Sequence, residues 1–520
     1  MKTKLDKNCE LTIRMEKSFQ RLHDKKYQLH IEDSRDSGGW PGDWEGRTLL
    51  GLIHLSKVLN QTPKYLNEIL DFLFKVTREQ GYFGAKVIKG EADEQQLSGN
   101  SWFLRAICEL YQWTGDERAL HTIKMMAENL LLPMLGKYNE YPNRPEQRVF
   151  EGKASGEKID GMVNGWHTSS DIGCAYIMLD GATQAFEILK SNTVKQLSDG
   201  LEQLILEMIE NYRKIDFLGI SAQTHATLSG ARGILRYASL IKDEKLYDFV
   251  EEIFELYKNY GMTENFANYN WFKRPLWTEP CAYVDSFMVA MQLFQKTQKR
   301  AYLELAHYIY YNAFGFGQRS NGGFGCDNCV GSESVILMPQ KDSYEAFWCC
   351  TMRGADGLTT VADDAVFEDN GKLYINFFFS GEYTLADGSI IFIESEYPVI
   401  GKTRIKYIGQ NEKTVILYIP SWAENVTITK NGDETDNEIT LSNNDIIQYN
   451  FDILLRKEDT IGEESIQDVY KFMRGPLILG IDSEIDAEKF SHDMLEPINF
   501  NYIISEEESR NRKTQILFHK

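Results

Sequence analysis

Thr114-Gly115-Asp116-Glu117-Arg118-Ala119-Leu120 is a short polar turn between two apolar segments, and turns of this kind decide the fold. Apolar residues recur at three- and four-residue spacing from about residue 45 to 315, which indicates helices. Similar turns recur roughly every 50–60 residues, except across a Gly-, Pro- and charge-rich insertion at about 135–165. They are 61–66, 192–197, 242–247 and 296–302. This repeat predicts an array of helical hairpins.

Such an array can close into a ring or remain an open solenoid, and the periodicity alone fits both forms. We expect the closed form with six helix pairs, the (α/α)6 barrel. The loops before the predicted inner helices are rich in Gly, aromatic and polar residues, unlike the Lys- and Asp-rich turns at the other helix ends. Functional residues concentrate in loops on a rigid scaffold. The candidate substrate-binding residues here are Asp43, Trp44, His167, Asp171 and His225.

The sequence pattern changes at about residue 365. Short runs rich in β-branched and aromatic residues are separated by Asp-Gly, Gly and Asn turns, and they include 372–379, 390–393 and 403–408. This pattern is typical of an antiparallel β-sandwich. We therefore predict an α+β multidomain protein, with an (α/α)6-barrel catalytic domain over residues 1–362 and a C-terminal β-sandwich over residues 363–520.

The negative net charge of the chain argues against one class of binding partner. The formal net charge is −21 and the pI about 5.0, which argues against nucleic acid because phosphate binding needs a basic face. The first residues lack the apolar run of a secretory signal, and no stretch resembles a membrane span. We therefore expect a cytoplasmic protein, in which the eight cysteines are thiols or metal ligands rather than disulfides.

Two cysteine-containing motifs point to a metal site. Glu279-Pro280-Cys281 offers a carboxylate and a thiol, and Phe347-Trp348-Cys349-Cys350 offers two adjacent thiols that are poor disulfide partners for each other. Three thiolates and a carboxylate suit zinc, which accepts sulfur and oxygen ligands together. The plain alternative is that Cys281 is a small buried residue on an apolar helix.

A rival metal site uses a different pair of cysteines. Cys326-Asp327-Asn328-Cys329 is a CxxC motif, and together with Cys349 and Cys350 it supplies four thiols for a closed structural zinc site. Its weakness is that a zinc finger has two spaced cysteine pairs, whereas the second pair here is adjacent.

The loop after residue 260 carries a candidate general acid. Glu264 lies close in sequence to Tyr269 and Trp271, and aromatic surroundings favour a protonated carboxyl group. We add Tyr269 and Trp271 to the candidate substrate contacts, while most loop glutamates are simply solvated. His167 and His225 suit contacts to sugar hydroxyl groups, although a lone histidine is more often a structural residue.

These features together resemble glycoside hydrolase family 127, the β-L-arabinofuranosidase family. The resemblance rests on Glu279-x-Cys281, the Cys349-Cys350 pair, the helical repeat and the predicted sandwich, and it runs over most of the chain. The combination of the two cysteine motifs is specific, whereas many unrelated enzymes share the helical repeat.

The resemblance implies a role for each motif residue. Cys349 becomes the nucleophile, and Glu279, Cys281 and Cys350 hold zinc with Cys349 near or on the metal. Glu264, within one residue of the expected spacing, becomes the acid/base, and His225 becomes a substrate contact. Zinc coordination makes the thiolate available. Two successive displacements at the anomeric carbon then retain its configuration.

Three departures from the family pattern surround the sugar pocket. Thr351-Met352-Arg353 follows the cysteine pair where the family has two prolines. The segment before Glu264 lacks the glycine-rich lead, and Gln95-Gln96 stands where a His-Glu pair is expected. These changes leave the catalytic chemistry in place and the exact sugar open.

The first hypothesis is therefore a cytoplasmic, zinc-dependent retaining glycosidase. Its substrates are short oligosaccharides or glycosides that end in β-L-arabinofuranose or a related sugar, and a homodimer is a possible assembly. The second hypothesis is an (α/α)6-barrel hydrolase or epimerase that uses carboxylates such as Asp43, Asp171 and Glu264. The third is a carbohydrate-binding protein without catalytic activity.

Overall fold

The computed structural model describes residues 1–31, 39–77, 79–148, 155–485 and 490–520. The part before residue 365 is mainly helical, and residues 149–154 of the predicted insertion lie outside the described ranges. The helices are α1 (Glu10–Arg21), α2 (Asp43–Leu59), α3 (Leu66–Thr77), α4 (Glu94–Thr114), α5 (Glu117–Met126), α6 (Met178–Ser191), α7 (Lys195–Tyr212), α8 (Thr224–Ile241), α9 (Glu244–Tyr260), α10 (Pro280–Thr297), α11 (Arg300–Tyr308), α12 (Gly315–Gly317), α13 (Cys350–Asp364) and α14 (Glu506–Asn511).

Six of the described helices pack side by side in a ring. Their order is α2, α4, α6, α8, α10 and α13, and α13 packs back against α2. Five other helices each pack mainly against one member of the ring: α5 on α4, α7 on α6, α9 on α8, α11 on α10 and α1 on α13. The helix contacts therefore return to their starting point around a common axis.

The ring helix α10 is buried over a longer continuous stretch than α9, one of the helices outside the ring. Residues 280–291 of α10 are buried without a break. In α9 the buried residues form one stripe, as expected for a helix with one face in solvent: Leu246, Tyr247, Val250, Ile253, Phe254 and Tyr257. Within the described ranges, the helices are too short or too polar to cross a bilayer.

All five predicted turns lie between the helices that they were expected to separate, which confirms the hairpin repeat. Four of the preceding helices end on a residue with a left-handed backbone, which stops the helix and turns the chain: Asn60 (φ 51°), Gly115 (φ 69°), Lys242 (φ 59°) and Gln298 (φ 56°). Asp116 and Asp243 then accept hydrogen bonds from backbone N–H groups of the next helix. The polar residues of these turns thus act as helix caps.

The chain after residue 365 is rich in strands. Together with four short strands before it, they are β1 (Lys2–Leu5), β2 (Ala92–Asp93), β3 (Trp166–His167), β4 (Ile336–Leu337), β5 (Val366–Asp369), β6 (Lys372–Ile375), β7 (Gly381–Thr384), β8 (Ile390–Ser395), β9 (Gly401–Ile408), β10 (Lys413–Leu417), β11 (Glu424–Lys430), β12 (Asp433–Glu434), β13 (Glu438–Leu441), β14 (Ile446–Asp452), β15 (Leu455–Asp459), β16 (Val469–Arg474), β17 (Leu477–Asp482), β18 (Glu496–Pro497), β19 (Thr514–Gln515) and β20 (Phe518–His519).

The larger sheets of the described chain are mainly antiparallel. A seven-stranded sheet has the order β1-β7-β8-β9-β14-β11-β12, and a four-stranded sheet has the order β13-β10-β6-β5, in which β10 and β6 are parallel. Buried residues Ile393, Ile405 and Ile447 lie side by side across three strands. β9 alternates buried and mostly exposed residues, so one face of this sheet points into the core.

Strand pairing also links the two parts of the chain. β1 pairs with β7, so the first residues belong to a sheet of the C-terminal part rather than to the helical part. β4 pairs with β19 of a third sheet, which also contains β15, β16 and β17. The predicted boundary at 362/363 falls in the last turn of α13, which ends at Asp364.

Candidate active site

A cavity of about 1000 Å³ opens where several ring helices begin. Asp43 is the first residue of α2, His225 the second residue of α8 and Cys350 the first residue of α13, and all three line the cavity. The aromatic lining consists of Trp40, Trp44, Phe83, Trp277 and Trp348. Aromatic faces combined with a few fixed polar groups are typical of a small-molecule site.

Three sulfur atoms meet at one wall of this cavity. Pro280 occupies the first turn of α10, where its missing N–H costs nothing, and Cys281 follows it. The Cys281 Sγ lies 3.8 Å from the Cys350 Sγ, which lies 3.3 Å from the Cys349 Sγ. Cys281 and Cys350 are buried and Cys349 is partly exposed. The positive ends of α10 and α13 favour thiolates at this point. The hydrogen bond with Cys281 nevertheless raises the pKa of Cys349, and burial raises that of Cys350, well above the usual thiol range, so these two thiols need a nearby cation to ionise.

This donor set fits a metal ion. The three sulfurs lie within 4.8 Å of one another, and tetrahedral zinc with Zn–S bonds of about 2.3 Å places sulfurs about 3.8 Å apart. Oxygen or nitrogen donors of Glu279 and His225 lie within 4.8 Å of each other and of the Cys281 sulfur. The group is therefore compatible with zinc.

Glu279 is better placed than His225 to be the fourth ligand. Both ring nitrogens of His225 are engaged, with Nδ1 2.8 Å from Asp285 and Nε2 3.2 Å from Arg47. Among the described residues, the Glu279 carboxylate receives only a 3.4 Å contact from the Gln223 amide. Burial and the neighbouring Cys281 raise the pKa of Glu279 well above its usual range, so this carboxyl group needs a nearby cation to ionise.

Arg47 provides one positive charge at this wall. Its guanidinium lies 2.8 Å from Asp43 and 3.4 Å from the Cys281 sulfur, and it stacks over the Trp102 ring at 3.9 Å. Burial opposes ionisation of Cys281, but hydrogen bonds from Cys349 and Cys350 and the charge of Arg47 hold its pKa well below its usual range. A planar guanidinium suits this position because it can bond and stack at once.

The buried carboxylate of Asp285 connects residues of the site through four hydrogen bonds. Asp285 accepts hydrogen bonds from Arg232 (2.7 Å) and Arg353 (2.6 Å) on one oxygen, and from Ser229 (2.6 Å) and His225 (2.8 Å) on the other. Burial opposes ionisation, yet the two guanidinium groups hold the pKa of Asp285 well below its usual range. Asp285 thereby fixes the orientation of the His225 ring.

The structure brings four of the predicted substrate-binding residues to the cavity and leaves three elsewhere. Asp43, Trp44, Asp171 and His225 line it. His167 is half-buried in β3 and pairs with Glu91 at 3.3 Å. Tyr269 and Trp271 are buried outside the lining, where Trp271 packs edge-on against Trp277, a residue that does line the cavity. Trp271 therefore supports the cavity wall through Trp277.

Glu264 lies in an environment that conflicts with its expected role. It is 1% exposed and forms a 2.8 Å ion pair with Lys471 of β16, which is fully buried. Its carboxylate also accepts hydrogen bonds from the backbone N–H groups of Ile461 and Gly462. These three donors occupy the oxygens of its carboxyl group, and Glu264 is not among the residues that line the cavity. Glu264 therefore lies where the helical part meets the third sheet, and its role as general acid stays a prediction.

The rival four-thiol site does not assemble among the described residues. Cys326 lines the cavity and is close enough to Cys350 for a thiol hydrogen bond. The Cys329 sulfur instead contacts the Asn268 backbone oxygen at 3.7 Å. Cys326 and Cys329 therefore do not join Cys349 and Cys350 as one ligand group.

Arg47 and Asp285 belong to the site although neither is part of a sequence motif. Asp285 is the single charged residue in the apolar segment 280–295, and Arg47 follows Asp43 and Glu45 directly before an apolar run. A buried charge is costly unless it is paired, so such positions usually mark a network or a site. The spacing of Asp43 and Arg47, four residues apart in α2, also permits the ion pair that the structure contains.

Asp171 makes the stability of the protein pH-dependent. Burial raises its pKa to about 6 against the opposing effect of the Ser155 hydroxyl, so the folded state keeps a proton that the unfolded state loses near pH 4. This stabilisation is complete below about pH 4 and is lost as pH rises through 6. Between pH 5 and 8 we expect wild type to lose roughly 1–1.5 kcal/mol of unfolding free energy relative to Asp171→Asn.

The measurement is the unfolding midpoint of both proteins across this pH range. Asp248→Asn, an exposed position on α9, is the matched control and should follow the wild-type curve. Parallel curves for wild type and Asp171→Asn would contradict the prediction.

Solved structures share this architecture. A GH127 β-L-arabinofuranosidase from Geobacillus stearothermophilus T6 matches with a TM-score of 0.69 at 13% identity, covering 94% of this chain and 88% of that one. A second GH127 β-arabinofuranosidase matches with a TM-score of 0.65 at 14% identity, covering 92% and 84%. A structure described as a glycoside hydrolase matches with a TM-score of 0.68 at 13% identity, covering 95% and 84%. The chain therefore has the fold of these glycoside hydrolases.

The family model narrows this class. The model of the β-L-arabinofuranosidase GH127 catalytic domain matches residues 68–363, more than half of the chain. The chain therefore belongs to glycoside hydrolase family 127, which confirms the resemblance seen in its sequence. No curated protein matches it.

Proposed function

We propose that this protein is a retaining glycoside hydrolase that removes terminal β-L-arabinofuranosyl or related residues from short oligosaccharides or glycosides. The observation that carries the proposal is the cluster of Cys281, Cys349 and Cys350 beside Glu279 at the wall of the cavity. A partly exposed thiol in a metal-binding cluster is placed to act as a nucleophile. The solved relatives named as β-arabinofuranosidases suggest the sugar.

We also infer the finer architecture that this function requires. The ring of six helices, five of which have an identified outer partner, supports an (α/α)6 barrel. The seven-stranded and four-stranded sheets support a β-sandwich, since the Tyr449 hydroxyl of β14 donates to the Tyr418 backbone oxygen next to β10. In this architecture the beginnings of the inner helices surround the substrate.

The reaction proceeds by two displacements. The Cys349 thiolate attacks the anomeric carbon, the glycosidic C–O bond breaks, and a carboxylic acid protonates the leaving oxygen. The resulting carboxylate then takes a proton from water, whose oxygen attacks the same carbon while the C–S bond breaks. Glu279, Cys281 and Cys350 would hold zinc, which keeps thiols deprotonated at neutral pH. Each displacement inverts the carbon, so the product retains the starting configuration.

Metal removal tests the proposal. Purified protein should contain about one zinc ion per chain and should hydrolyse an aryl β-L-arabinofuranoside with retention. A chelator should lower the rate by at least about tenfold, and added zinc should restore it. Cys281→Ser should lose most of the metal and lower the melting temperature, because the cluster then has one ligand fewer. The measurements are elemental analysis, calorimetry and NMR of the first-formed anomer.

The matched control is Cys108→Ala, which removes a buried thiol of α4 that lies outside the cavity lining. This variant should keep its metal. Full activity after complete metal removal, or an inverted product, would contradict the proposal.

A further inference from the structure

A second cavity of about 310 Å³ adjoins the first. Asp342 lines both cavities, so the two spaces meet at this residue. The second cavity has a mainly polar lining, and its other charged residues are Arg21, Lys26, Lys341, Glu345, Glu506 and Arg510. The two displacements proposed above use none of these residues, so the second cavity needs a separate explanation.

The shared residue lies at the mouth of the larger cavity. Asp342 is exposed, and Trp348 and Leu276 of the same lining are 41% and 51% exposed. Asp43 and His225, at the beginnings of two ring helices, are buried and lie deeper in the cavity. A hydrolase that removes a terminal sugar encloses that sugar, so the rest of the substrate projects through the mouth. The second cavity therefore lies on the side where the leaving group emerges.

An aromatic pair connects this mouth to the second cavity. The exposed Trp348 ring packs edge-on against Phe347, with the ring centres 5.2 Å apart. The Lys26 ammonium lies 4.5 Å from the centre of the Phe347 ring. An exposed indole face suits the apolar face of a sugar ring. A sugar that packs on Trp348 therefore has a cation beside it.

Two of the acidic residues in the second cavity already have cationic partners. Arg21 donates to Glu345 at 2.8 Å, and it also pairs with Asp24 outside the cavity. Arg510 donates to Glu506 at 3.0 Å. The carboxylates of Glu345 and Glu506 therefore do not set the sign of the charge that this cavity presents to a ligand.

The remaining charges favour an anion. Within the described ranges, neither the half-buried Lys26 nor the exposed Lys341 forms an ion pair. Asp342 opposes one of these two positive charges, and its oxygens can accept hydrogen bonds from sugar hydroxyl groups. The cavity is thus locally cationic in a chain with a net charge of −21. Ammonium groups bind carboxylates through strong, charge-assisted hydrogen bonds.

We propose that the second cavity binds the sugar next to the cleaved bond and that this sugar is a uronic acid. Trp348 packs against its ring, Asp342 accepts from its hydroxyl groups, and Lys26 and Lys341 bind its carboxylate. The inference rests on the proposed function and names the substrate class: arabinofuranosyl or related residues attached to an acidic glycan.

Matched disaccharides test this assignment with metal-loaded wild type. Each carries a β-L-arabinofuranosyl residue on galacturonic acid, on its methyl ester or on galactose, with each linkage prepared for all three. In the linkage that the enzyme accepts, kcat/KM for the acid should exceed that for the ester and for galactose by at least about tenfold at low salt. Added sodium chloride should reduce this preference, because the lysines lie near solvent.

The variant Lys26→Gln/Lys341→Gln removes both cations. It should lower kcat/KM for the acid and bring the ratio of acid to ester close to one, with little change in melting temperature. Lys195→Gln is the matched control, because Lys195 is an exposed lysine at the first position of α7 and lines neither cavity. This control should keep the wild-type ratio.

Several results would overturn the inference while leaving the proposed function intact. They are equal rates for acid and ester in every linkage, a preference for the acid that survives the double variant, and faster cleavage of the matching galactose 6-sulfate. Cleavage of an aryl β-L-arabinofuranoside without cleavage of any acidic disaccharide is a further one. A metal-loaded wild type that cleaves neither kind of substrate contradicts the proposed function itself.

Discussion

Cys349→Ser is expected to lower glycoside turnover by at least about 10³-fold while the protein stays folded. A serine hydroxyl stays protonated where a thiol in this cluster can ionise, so the attack on the anomeric carbon loses its nucleophile. The substitution is nearly isosteric at a partly exposed position, so we expect little change in the melting temperature. The measurement is kcat/KM on the same glycoside, together with intact mass to detect the covalent intermediate in wild type.

The matched control for this variant is Cys9→Ser. Cys9 is also partly exposed, and it precedes α1, where serine is a favourable helix cap. Its activity should equal that of wild type. If Cys349→Ser hydrolysed the substrate at a rate near that of wild type, Cys349 could not be the nucleophile.

Asp285→Asn should produce the largest loss of stability. The amide carries no charge and presents only one oxygen, so the buried guanidinium groups of Arg232 and Arg353 lose their shared counter-ion. Breaking a buried ion pair from one side typically costs about 3–5 kcal/mol. The His225 ring also loses its acceptor, so substrate binding should weaken in the fraction that folds. Calorimetry and urea denaturation measure the first effect, and KM the second.

Asp71→Asn is the control variant that separates the effect of burial from the loss of an ion pair as such. Asp71 also pairs with an arginine, Arg118, at 2.9 Å, but both side chains are more than half exposed. Exposed ion pairs contribute little to stability. A melting temperature of Asp285→Asn equal to that of Asp71→Asn would show that the network beneath His225 does not support the fold.

Much of the fold could be predicted because its signals are local. The polar turns between helices and the change of period near residue 365 are visible in short windows, and the structure contains both. The pairing of β1 with β7 and of β4 with β19 was not predicted. Pairs that distant in sequence leave no local pattern, because their register is set by contacts that form only in the folded chain.

The site residues also fall into those that local motifs reveal and those whose position depends on distant parts of the chain. Glu279, Cys281, Cys349 and Cys350 lie in two compact motifs, and the structure brings them together. The position of Glu264 in the sequence could not reveal its direction. The turn that holds it, with Phe266 at φ 61°, sends the carboxylate toward Lys471, a residue about two hundred positions later. The spacing between Glu264 and the cysteine motif in the sequence therefore does not tell in which direction the Glu264 side chain points.

The contact of α13 with α2 affects how the helical part folds while the chain is being translated. α2 is made early and α13 is the last helix of the ring, so the ring cannot close on the ribosome until residue 364 has emerged. Until then the buried face of α2 lacks its neighbour, and the nascent helical part exposes an apolar surface that invites chaperone binding. Cys349 and Cys350 are also translated late, so they can join Cys281 in the sulfur cluster only when the last ring helix is made.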